Sequence, residues 1–310
     1  MQSKTDITKR KVMVRVSVIM PIYNVAPYLE EALNSVVNQS LKEIEIIAVN
    51  DGSTDNSEEI IKQYQQKDSR IILFSQENQG QSVARNLALQ HAKGKYIYMM
   101  DSDDVLSSPS VLQMCYDYAE NNRADFVFFD RDWLVEDRTD FSVSLHSTEY
   151  VEENKAYDGE NLLNIQLNTT SYNCVVWLLF ISHDYLKRLG LTFYPGIIHE
   201  DELFTTVLML SSSSIYCLKQ SFVNHRVRSA STVGTKFTRR NMDCYLIVAD
   251  ELLRFSQKPI IHKYLRYTLS KVFYTGHLIP YKDKPAVFWR AVCSGYLKYI
   301  GIKSTIKFFT

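Results

Sequence analysis

The chain has 310 residues, of which 45% are hydrophobic and 23% are charged, an ordinary composition for a soluble globular protein. The formal net charge is zero, which argues against general nucleic-acid binding. Five scattered cysteines without CxxC spacing argue against a disulfide framework and a zinc site, and the polar N-terminus has no apolar signal segment, so a cytoplasmic protein is predicted.

The first hundred residues alternate strand-like and helix-like patterns. Continuous apolar and β-branched runs predict strands at 16–22, 45–49, 70–75 and 95–100. Apolar residues at helical spacing predict helices at 24–39, from Ser53 or Asp55 to about Tyr64, and at 81–90. Strands that alternate with such helices predict a doubly wound α/β fold, in which a mostly parallel sheet is flanked by helices.

The pattern is less regular after residue 104. Helices are predicted at 111–121, 162–180 and 201–209, and one further strand is predicted at 125–130. From residue 239 onward the pattern is helical, so a helical C-terminal extension is predicted to begin near residues 235–239.

Two acidic clusters follow apolar strands directly. Asp51 and Asp55 come after the second strand, and Asp101, Asp103 and Asp104 come after the fourth. The C-terminal ends of parallel strands share one edge, where ligands bind, so the two clusters are expected to face each other. Crowded carboxylates repel unless a cation lies among them, and Mg²⁺ or Mn²⁺ fits oxygen ligands that water and substrate phosphates complete.

Arg85, at the start of the third predicted helix, is a candidate partner for a diphosphate at this edge. The same residues also have plainer interpretations. Aspartates after strands are common turn and N-cap residues, and a lone arginine is often a surface residue that pairs with a neighbouring acid.

Several segments taken together resemble one enzyme family. They are VSVIMPIYN at 16–24, EIIAVNDGSTDNS at 45–57, ENQGQSVARNLAL at 77–89, GKYIYMMDSDD at 94–104 and HEDELF at 199–204. In this order they resemble the inverting glycosyltransferases of family 2, which have the GT-A fold. The resemblance is dense over 16–106, looser to about 235 and silent beyond it. It implies metal-dependent transfer of a sugar from a nucleotide-diphosphate donor to an acceptor hydroxyl.

On the donor side, the resemblance assigns the loop after the first strand to the nucleotide base. Pro21, Ile22 and Tyr23 would hold the base through backbone contacts, and Asp51 would accept its N3–H. The base implied is uracil, and the donor is therefore a UDP-sugar. A carboxylate that accepts a hydrogen bond from an imide N–H discriminates against cytosine, which has no such donor.

The same resemblance implies a metal and diphosphate site. Asp101 would face the ribose or the donor sugar, Asp103 would bind Mg²⁺ or Mn²⁺, and Arg85 would touch the diphosphate or the donor sugar. Some members have a histidine metal ligand after the last core strand, and His225 is the candidate here. A lone histidine also fits an ordinary structural role, and that alternative stays open.

On the acceptor side, the resemblance makes Asp201 the general base for the acceptor hydroxyl. Glu200 beside it would bind substrate and raise the pKa of the base. An N-cap role for this acidic pair is the alternative. Trp177 is a candidate platform for an acceptor sugar or a core residue. Arg226 and Arg228 are candidates to approach phosphates.

The C-terminal region is basic and aromatic. Residues 256–310 contain ten Lys or Arg against one acid, Asp283, a balance of +9. One interpretation is docking on an anionic membrane surface, where a glycan or lipid-linked glycan acceptor would lie. The alternatives are a helical cap with a solvated basic face and a contact between copies of the chain.

The predicted organisation is an N-terminal tail at 1–15, a catalytic domain at 16–235 and a basic helical extension at 236–310. Within the catalytic domain, 16–106 is the nucleotide-binding half and 107–235 the acceptor half. The family resemblance also points to bacterial cell-surface polysaccharide synthesis, such as capsule assembly.

Two competing functions remain. Asp101 and Asp103 after an apolar strand also fit the nucleophile and acid/base pair of haloacid-dehalogenase-type phosphatases, although that motif usually opens the first strand. The other competitor is a non-catalytic sugar-nucleotide-binding subunit, which would be expected to lack a metal or base carboxylate.

Overall fold

The structure is a computed structural model, and it describes residues 13–135, 146–227 and 236–310. Residues of the predicted tail before 13, the linking segments 136–145 and 228–235, and with them Arg228, lie outside the described residues. Within the described ranges no helix is both long enough and apolar enough to cross a bilayer.

One mixed sheet forms the centre of the described chain. Its strands are β1 (Val16–Ile22), β2 (Ile44–Asp51), β3 (Ile71–Gln76), β4 (Tyr96–Met99), β5 (Val105–Leu106), β6 (Phe126–Val135), β7 (Leu179–Ser182) and β8 (Ile215–Val227). The strand order is β3-β2-β1-β4-β7-β6-β8-β5. The four strands from β3 to β4 are all parallel, as the sequence predicted.

The other half of the sheet is mixed. Strand β7 runs antiparallel to both β4 and β6, β8 runs parallel to β6, and β5 runs antiparallel to β8. Of the seven strand pairs in the described residues, four are therefore parallel.

Helices cover both faces of the sheet. They are α1 (Ala26–Val37), α2 (Ser57–Lys67), α3 (Gln81–His91), α4 (Val111–Asn122), α5 (Gly159–Thr169), α6 (His183–Leu189), α7 (Glu200–Leu210), α8 (Arg239–Phe255), α9 (Pro259–Thr275), α10 (Lys284–Cys293) and α11 (Ile302–Phe309). Helices α8 to α11 confirm the predicted helical character of the C-terminal region.

Alternating side chains of the strands divide the core into two layers, because successive residues of a strand point to opposite faces. Val18 and Met20 of β1 pack in the layer that α1, α2 and α4 cover. Ile19 of β1 and Ile47 of β2 pack in the other layer, with α3, α5 and α7. The buried residues of α8 to α11 belong to this second layer, so the C-terminal helices share a core with α7.

The predicted helix at 162–180 is wrong in its second half. Helix α5 ends where Thr170 adopts a left-handed conformation, with φ 57°. The following apolar run enters a short 3₁₀ turn at Val176–Leu178 and then strand β7, which lies between β4 and β6. A short, continuously apolar run fits a buried strand as well as a helix, and only its place in the sheet decides.

Candidate active site

The predicted edge of the sheet is where the acids meet. Strands β1, β2 and β4 are parallel, and the register pairs Ile22 of β1 with Asn50 of β2. Asp51 is the last residue of β2, and Asp101 follows β4, which ends at Met99. The expectation that both acidic clusters lie at one edge of the sheet is confirmed.

Asp51 anchors the segment that leads into α3. It is 3% exposed, and one of its oxygens accepts hydrogen bonds from Gln76 Nε2 at 2.7 Å and from the Gln79 N–H at 2.9 Å. The other oxygen accepts from the Gly80 N–H at 2.9 Å. A carboxylate offers about four acceptor positions, so one stays available for a ligand N–H. The contact of Asp51 with the uracil base of the donor stays a prediction.

The proposed base-binding loop follows β1 at the same edge. Pro21 and Ile22 are buried at the end of the strand, whereas Tyr23 is 49% exposed. The DGSTD segment at 51–55 holds this loop in place, because the Asp55 carboxylate accepts a hydrogen bond from the Ala26 N–H at 2.9 Å. Asp55 therefore joins the two loops at the start of α1.

Side chains and backbone of strand β8 hold the turn at 101–104 in place. Asp104 is 1% exposed and accepts hydrogen bonds from His225 Nδ1 and from the Arg226 N–H, both at 2.9 Å. Arg226 Nε donates to the Asp103 carbonyl at 2.9 Å, and the Arg226 guanidinium also pairs with Glu31 of α1. Arg226 thus contacts the turn itself, and its approach to a phosphate stays a prediction.

Burial and neighbouring charges set the electrostatics of this turn. Burial raises the pKa of Asp101, and the Asp103 charge adds to this, while Arg85 opposes it. Burial likewise raises the pKa of Asp104 to about 6, against the hydrogen bond from His225. Burial alone would lower the pKa of His225, but the hydrogen bond and charge of Asp104 outweigh it and raise that pKa.

The donor set at this turn fits a divalent cation that keeps ligands from water and phosphate. Within the described residues no three His, Cys, Asp or Glu side chains form a complete metal cage. Mg²⁺ commonly uses only one or two carboxylates of the protein. His225 lies against Asp104, the residue after Asp103, and its Nδ1 donates to that carboxylate. Nε2 is then the nitrogen left to bind a metal, as in carboxylate–histidine–metal arrangements.

Arg85 connects this turn to α7. It projects from α3, is 3% exposed, and donates from one terminal nitrogen to Asp101 at 3.0 Å and from the other to Glu200 at 2.9 Å. Its guanidinium also lies over the ring of Phe193, 5.1 Å from the centroid. The predicted contact of Arg85 with the diphosphate remains open, because both of its terminal nitrogens bind carboxylates here.

The first turn of α7 carries three acids in succession. His199 is the N-cap, with φ 67° and no side-chain cap hydrogen bond, so Glu200 and Asp201 lie inside the helix and are not its caps. Acids in this position are favoured by the positive end of the helix dipole. One Asp201 oxygen accepts the Glu202 N–H at 3.0 Å, and the other faces the Cys174 thiol at 3.6 Å.

These surroundings give Asp201 the proton affinity of a general base. Burial raises its pKa to about 7, and the charges of Glu200 and Glu202 add to the effect. Arg85 and the Cys174 thiol oppose the shift only in part. A catalytic base works best when its pKa lies near the operating pH.

An aromatic cluster lies beside the 101–104 turn. Trp177 is 5% exposed and stacks on His225, with ring centroids 4.6 Å apart. Trp133 of β6 pairs with His225 in the sheet register and meets its ring edge-on at 5.5 Å. The Arg131 guanidinium lies over both indoles. An acceptor contact of Trp177 stays a prediction, because here it packs on the candidate metal ligand.

The site thus brings together most of the residues singled out from sequence. Arg85 joins Asp101 to Glu200, which precedes Asp201 in α7, and His225 pairs with Asp104, the residue after Asp103. Sequence reasoning missed Trp133, Cys174 and the partners of Glu202. The aromatic signal at Trp133 was visible, but its position beside His225 depends on strand β8, which was not predicted.

Comparisons with known proteins agree with this geometry. The sequence model described as "Glycosyl transferase family 2" matches residues 17–188. The uncharacterized glycosyltransferase YibD of Escherichia coli is 29% identical over 217 residues, which cover 70% of this chain and 62% of YibD. The minor teichoic acid biosynthesis protein GgaB of Bacillus subtilis is 30% identical over 248 residues, which cover 79% of this chain and 26% of GgaB. Both relatives therefore extend well beyond the matched region.

Among solved structures, S. aureus TarS in complex with UDP-GlcNAc aligns with a TM-score of 0.70 at 19% identity, covering 94% of this chain and 90% of that one. At this identity the similarity shows the fold. It confirms the predicted α/β architecture with a curled sheet, flanking helices and C-terminal helices.

Proposed function

Because the chain belongs to glycosyl transferase family 2 and is therefore a glycosyltransferase, we propose that it moves a sugar from a UDP-sugar to an acceptor hydroxyl and inverts the anomeric carbon. One observation carries the proposal. Arg85 contacts both Asp101, on the donor side, and Glu200, next to the candidate base. A single side chain thus spans the distance between the two acidic groups that such a reaction needs.

The donor would bind along the edge formed by β1, β2 and β4. The backbone of Pro21, Ile22 and Tyr23 and the remaining acceptor position of Asp51 would take the uracil. The N-terminus of α3 lies next to Asp51 through Gly80 and offers backbone N–H groups to a diphosphate. We assign this donor half to residues 16–106 and the acceptor half to 107–235.

Asp103 and His225 would hold Mg²⁺ or Mn²⁺. A bound cation at this place supplies charge stabilisation for the departing diphosphate. Asp104 fixes the tautomer of His225, and Arg226 fixes the backbone of Asp103. The two protein ligands would therefore be oriented before a donor arrives.

Asp201 would take the proton of the acceptor hydroxyl while that oxygen bonds to the anomeric carbon and the bond to UDP breaks. The electron pair of the broken bond leaves with UDP, and a single displacement of this kind inverts the configuration. The raised pKa of Asp201, about 7, supports this role, because the carboxylate becomes a stronger base without being protonated at slightly alkaline pH.

The family assignment leaves no place for the phosphatase alternative. The non-catalytic alternative is disfavoured because Asp103 and Asp201 are both present. For the acceptor, we propose a glycan or lipid-linked glycan in bacterial cell-surface polysaccharide synthesis. The similarity to GgaB, a protein named for teichoic acid biosynthesis, supports this class.

We also propose that an anionic membrane surface is a partner, reached from the cytoplasmic side through helix α11. Ile302, Ile306 and Phe309 recur on one face of this helix and are 80%, 62% and 40% exposed. Lys303 is exposed next to them, and Lys307 is half-buried. An apolar helix face flanked by lysines is typical of peripheral binding to anionic lipid.

The membrane proposal is tested by co-sedimentation with phosphatidylglycerol vesicles. The double variant Ile302→Glu and Ile306→Glu is expected to lower vesicle binding about 10-fold or more. Tyr150→Glu changes an apolar surface residue elsewhere, 49% exposed, and should leave binding unchanged. Failure of the unchanged protein to bind even at low salt would contradict the proposal.

The donor proposal is tested by measuring nucleotide release from a panel of UDP- and GDP-sugars, with and without Mn²⁺. We expect release of UDP from at least one UDP-sugar, and release that depends on the cation. Release from GDP-sugars alone would show that the proposed role of Asp51 is wrong. Activity that a chelator does not affect would show that the proposed metal dependence is wrong.

A further inference from the structure

A buried polar cluster lies behind the candidate base. Glu202 follows Asp201 in α7, and its carboxylate accepts a hydrogen bond from the hydroxyl of Tyr264, a fully buried residue of α9. Tyr172 meets Tyr264 edge-on, with ring centroids 5.5 Å apart, and its hydroxyl bonds to Thr206 at 2.8 Å. The C-terminal helices therefore reach the residue next to the base.

A second contact fixes the start of α7 to α8. His199, the N-cap residue, stacks on Tyr245 at 4.3 Å, and its Nε2 lies 3.0 Å from Asn241 Nδ2. Burial lowers the pKa of His199 to about 4, so the ring is neutral near pH 7 and Nε2 accepts a hydrogen bond from Asn241. His199 therefore adds no positive charge beside Asp201.

The charges that face Asp201 come from every element packed around it. On α7 they are Glu200 and Glu202, and on α3 there is Arg85, which is paired with Glu200 and Asp101. The remaining groups are the Cys174 thiol, the hydroxyls of Tyr172, Tyr245 and Tyr264, and the ammonium of Lys271 on α9, which lies near Glu202.

Glu202 differs from Glu200 in its partners. Glu200 forms an ion pair with Arg85 at 2.9 Å, which offsets its charge. Within the described residues Glu202 forms no such ion pair, and its carboxylate accepts a hydrogen bond from the neutral hydroxyl of Tyr264. Both glutamate charges raise the pKa of Asp201, that of Glu200 more strongly, and Glu202 is the one that the C-terminal helices contact.

We propose that Glu202, held in place by Tyr264 of α9, is a positioning residue whose charge makes Asp201 a stronger base. The proposal rests on the proposed role of Asp201. A fixed negative charge beside a carboxylate disfavours its ionised form and increases its affinity for the acceptor proton. Burial raises the pKa of Glu202, and the hydrogen bond from the Tyr264 hydroxyl opposes that rise, so a residue of the C-terminal helices contributes to the chemistry.

The test is the pH profile of kcat/KM for the acceptor, which reports groups of the free enzyme. In Glu202→Gln the amide oxygen still accepts from Tyr264 while the charge is lost. We expect the acid limb to move to lower pH by about 0.5–1 pH unit, and the alkaline plateau to fall several-fold because the base is weaker. Glu202→Asp retains the charge and should keep the limb near that of the unchanged protein.

Tyr264→Phe is a second variant that leaves every charged residue in place. Removal of the hydroxyl favours neutral Glu202, so the acid limb should again move to lower pH, by a smaller amount. Thr205→Val is the matched control, because Thr205 lies on α7 and bonds to the Cys174 carbonyl at 2.6 Å. It removes a buried hydroxyl without changing charge, and its acid limb should not move.

The outcomes separate the two claims. If Asp201→Asn keeps most of its activity, the proposed base is wrong and the role of Glu202 is lost with it. If Asp201→Asn is inactive while folded Glu202→Gln and Tyr264→Phe keep the original acid limb, only the role of Glu202 is overturned. A purely structural role would lower activity equally at every pH.

Discussion

Two groups of carboxylates in the site, the 101–104 turn and the first turn of α7, have different surroundings. In the 101–104 turn, Asp101 binds Arg85 and Asp104 binds His225, so cationic or protonatable groups contact both carboxylates. In the first turn of α7, Asp201 contacts a thiol and a backbone N–H between two glutamates. Burial raises carboxyl pKa values in both groups, but Asp201 itself forms no ion pair among the described residues, because Arg85 pairs with the neighbouring Glu200. The surroundings thus suit the 101–104 turn to binding a charged ligand and the first turn of α7 to accepting a proton.

The largest difference between the two groups is expected when the candidate general base is removed. Asp201→Asn should lower kcat on the order of 1000-fold at pH 8, because general-base catalysis is lost. Affinity for UDP, measured by calorimetry, should stay within about twofold, because no donor contact is removed. Asp117→Asn, an exposed acid on α4, is the control and should behave like the unchanged protein. Retention of a tenth of the activity in Asp201→Asn would show that another group is the base.

A somewhat smaller effect is expected in the first cluster. Asp103→Asn should lower activity on the order of 100-fold and raise the Mn²⁺ concentration needed for half-maximal activity, because a charged metal ligand becomes neutral. The measurement is a Mn²⁺ titration of UDP release. An unchanged Mn²⁺ requirement would place the cation elsewhere. The pH dependence should stay that of the unchanged protein, which distinguishes this variant from changes near Asp201.

The last effect is on stability, and it has the opposite sign to the effect on activity. The pKa of Asp201 is raised to about 7, so its ionised form is disfavoured in the folded protein. Asp201→Asn should therefore increase the free energy of unfolding by about 4 kcal/mol at pH 8, because the folded and unfolded pKa values differ by about 3. The gain should shrink as pH falls below 7 and vanish about one pH unit below the ordinary pKa of 3.8, where the carboxyl is protonated in both states. Denaturant unfolding at several pH values measures it, and a gain independent of pH would contradict the explanation.

The sequence predicted the donor half of the molecule well because its information is local. Each main strand there is a short apolar run, the first three are each followed by a helix, and the acids lie at or just after strand ends. Asp51 and Asp101 could be placed at one edge because a parallel sheet brings the ends of its strands together.

The acceptor half depends on contacts between residues far apart in the chain. Arg85 and Glu200 are 115 positions apart, and Tyr264 and Glu202 are 62 apart. Strand β8 pairs with β6 through a register that shifts twice, so no simple alternation marks it. The proximity of His225 to Asp104 and Trp133 could therefore not be read from spacing.

The apolar layer that joins α7 to the C-terminal helices has a consequence for engineering. Ile47 of β2 and Leu246 of α8 belong to one continuous cluster of buried side chains. Helices α8 to α11 are therefore an integral part of the fold. A fragment that ended before α8 would expose apolar surface of α5 and α7 to solvent. Hybrids that exchange these helices between relatives should first be tested for cooperative unfolding by calorimetry and for aggregation. A mismatched packing interface between α7 and the exchanged helices would disturb folding before it changed the choice of acceptor.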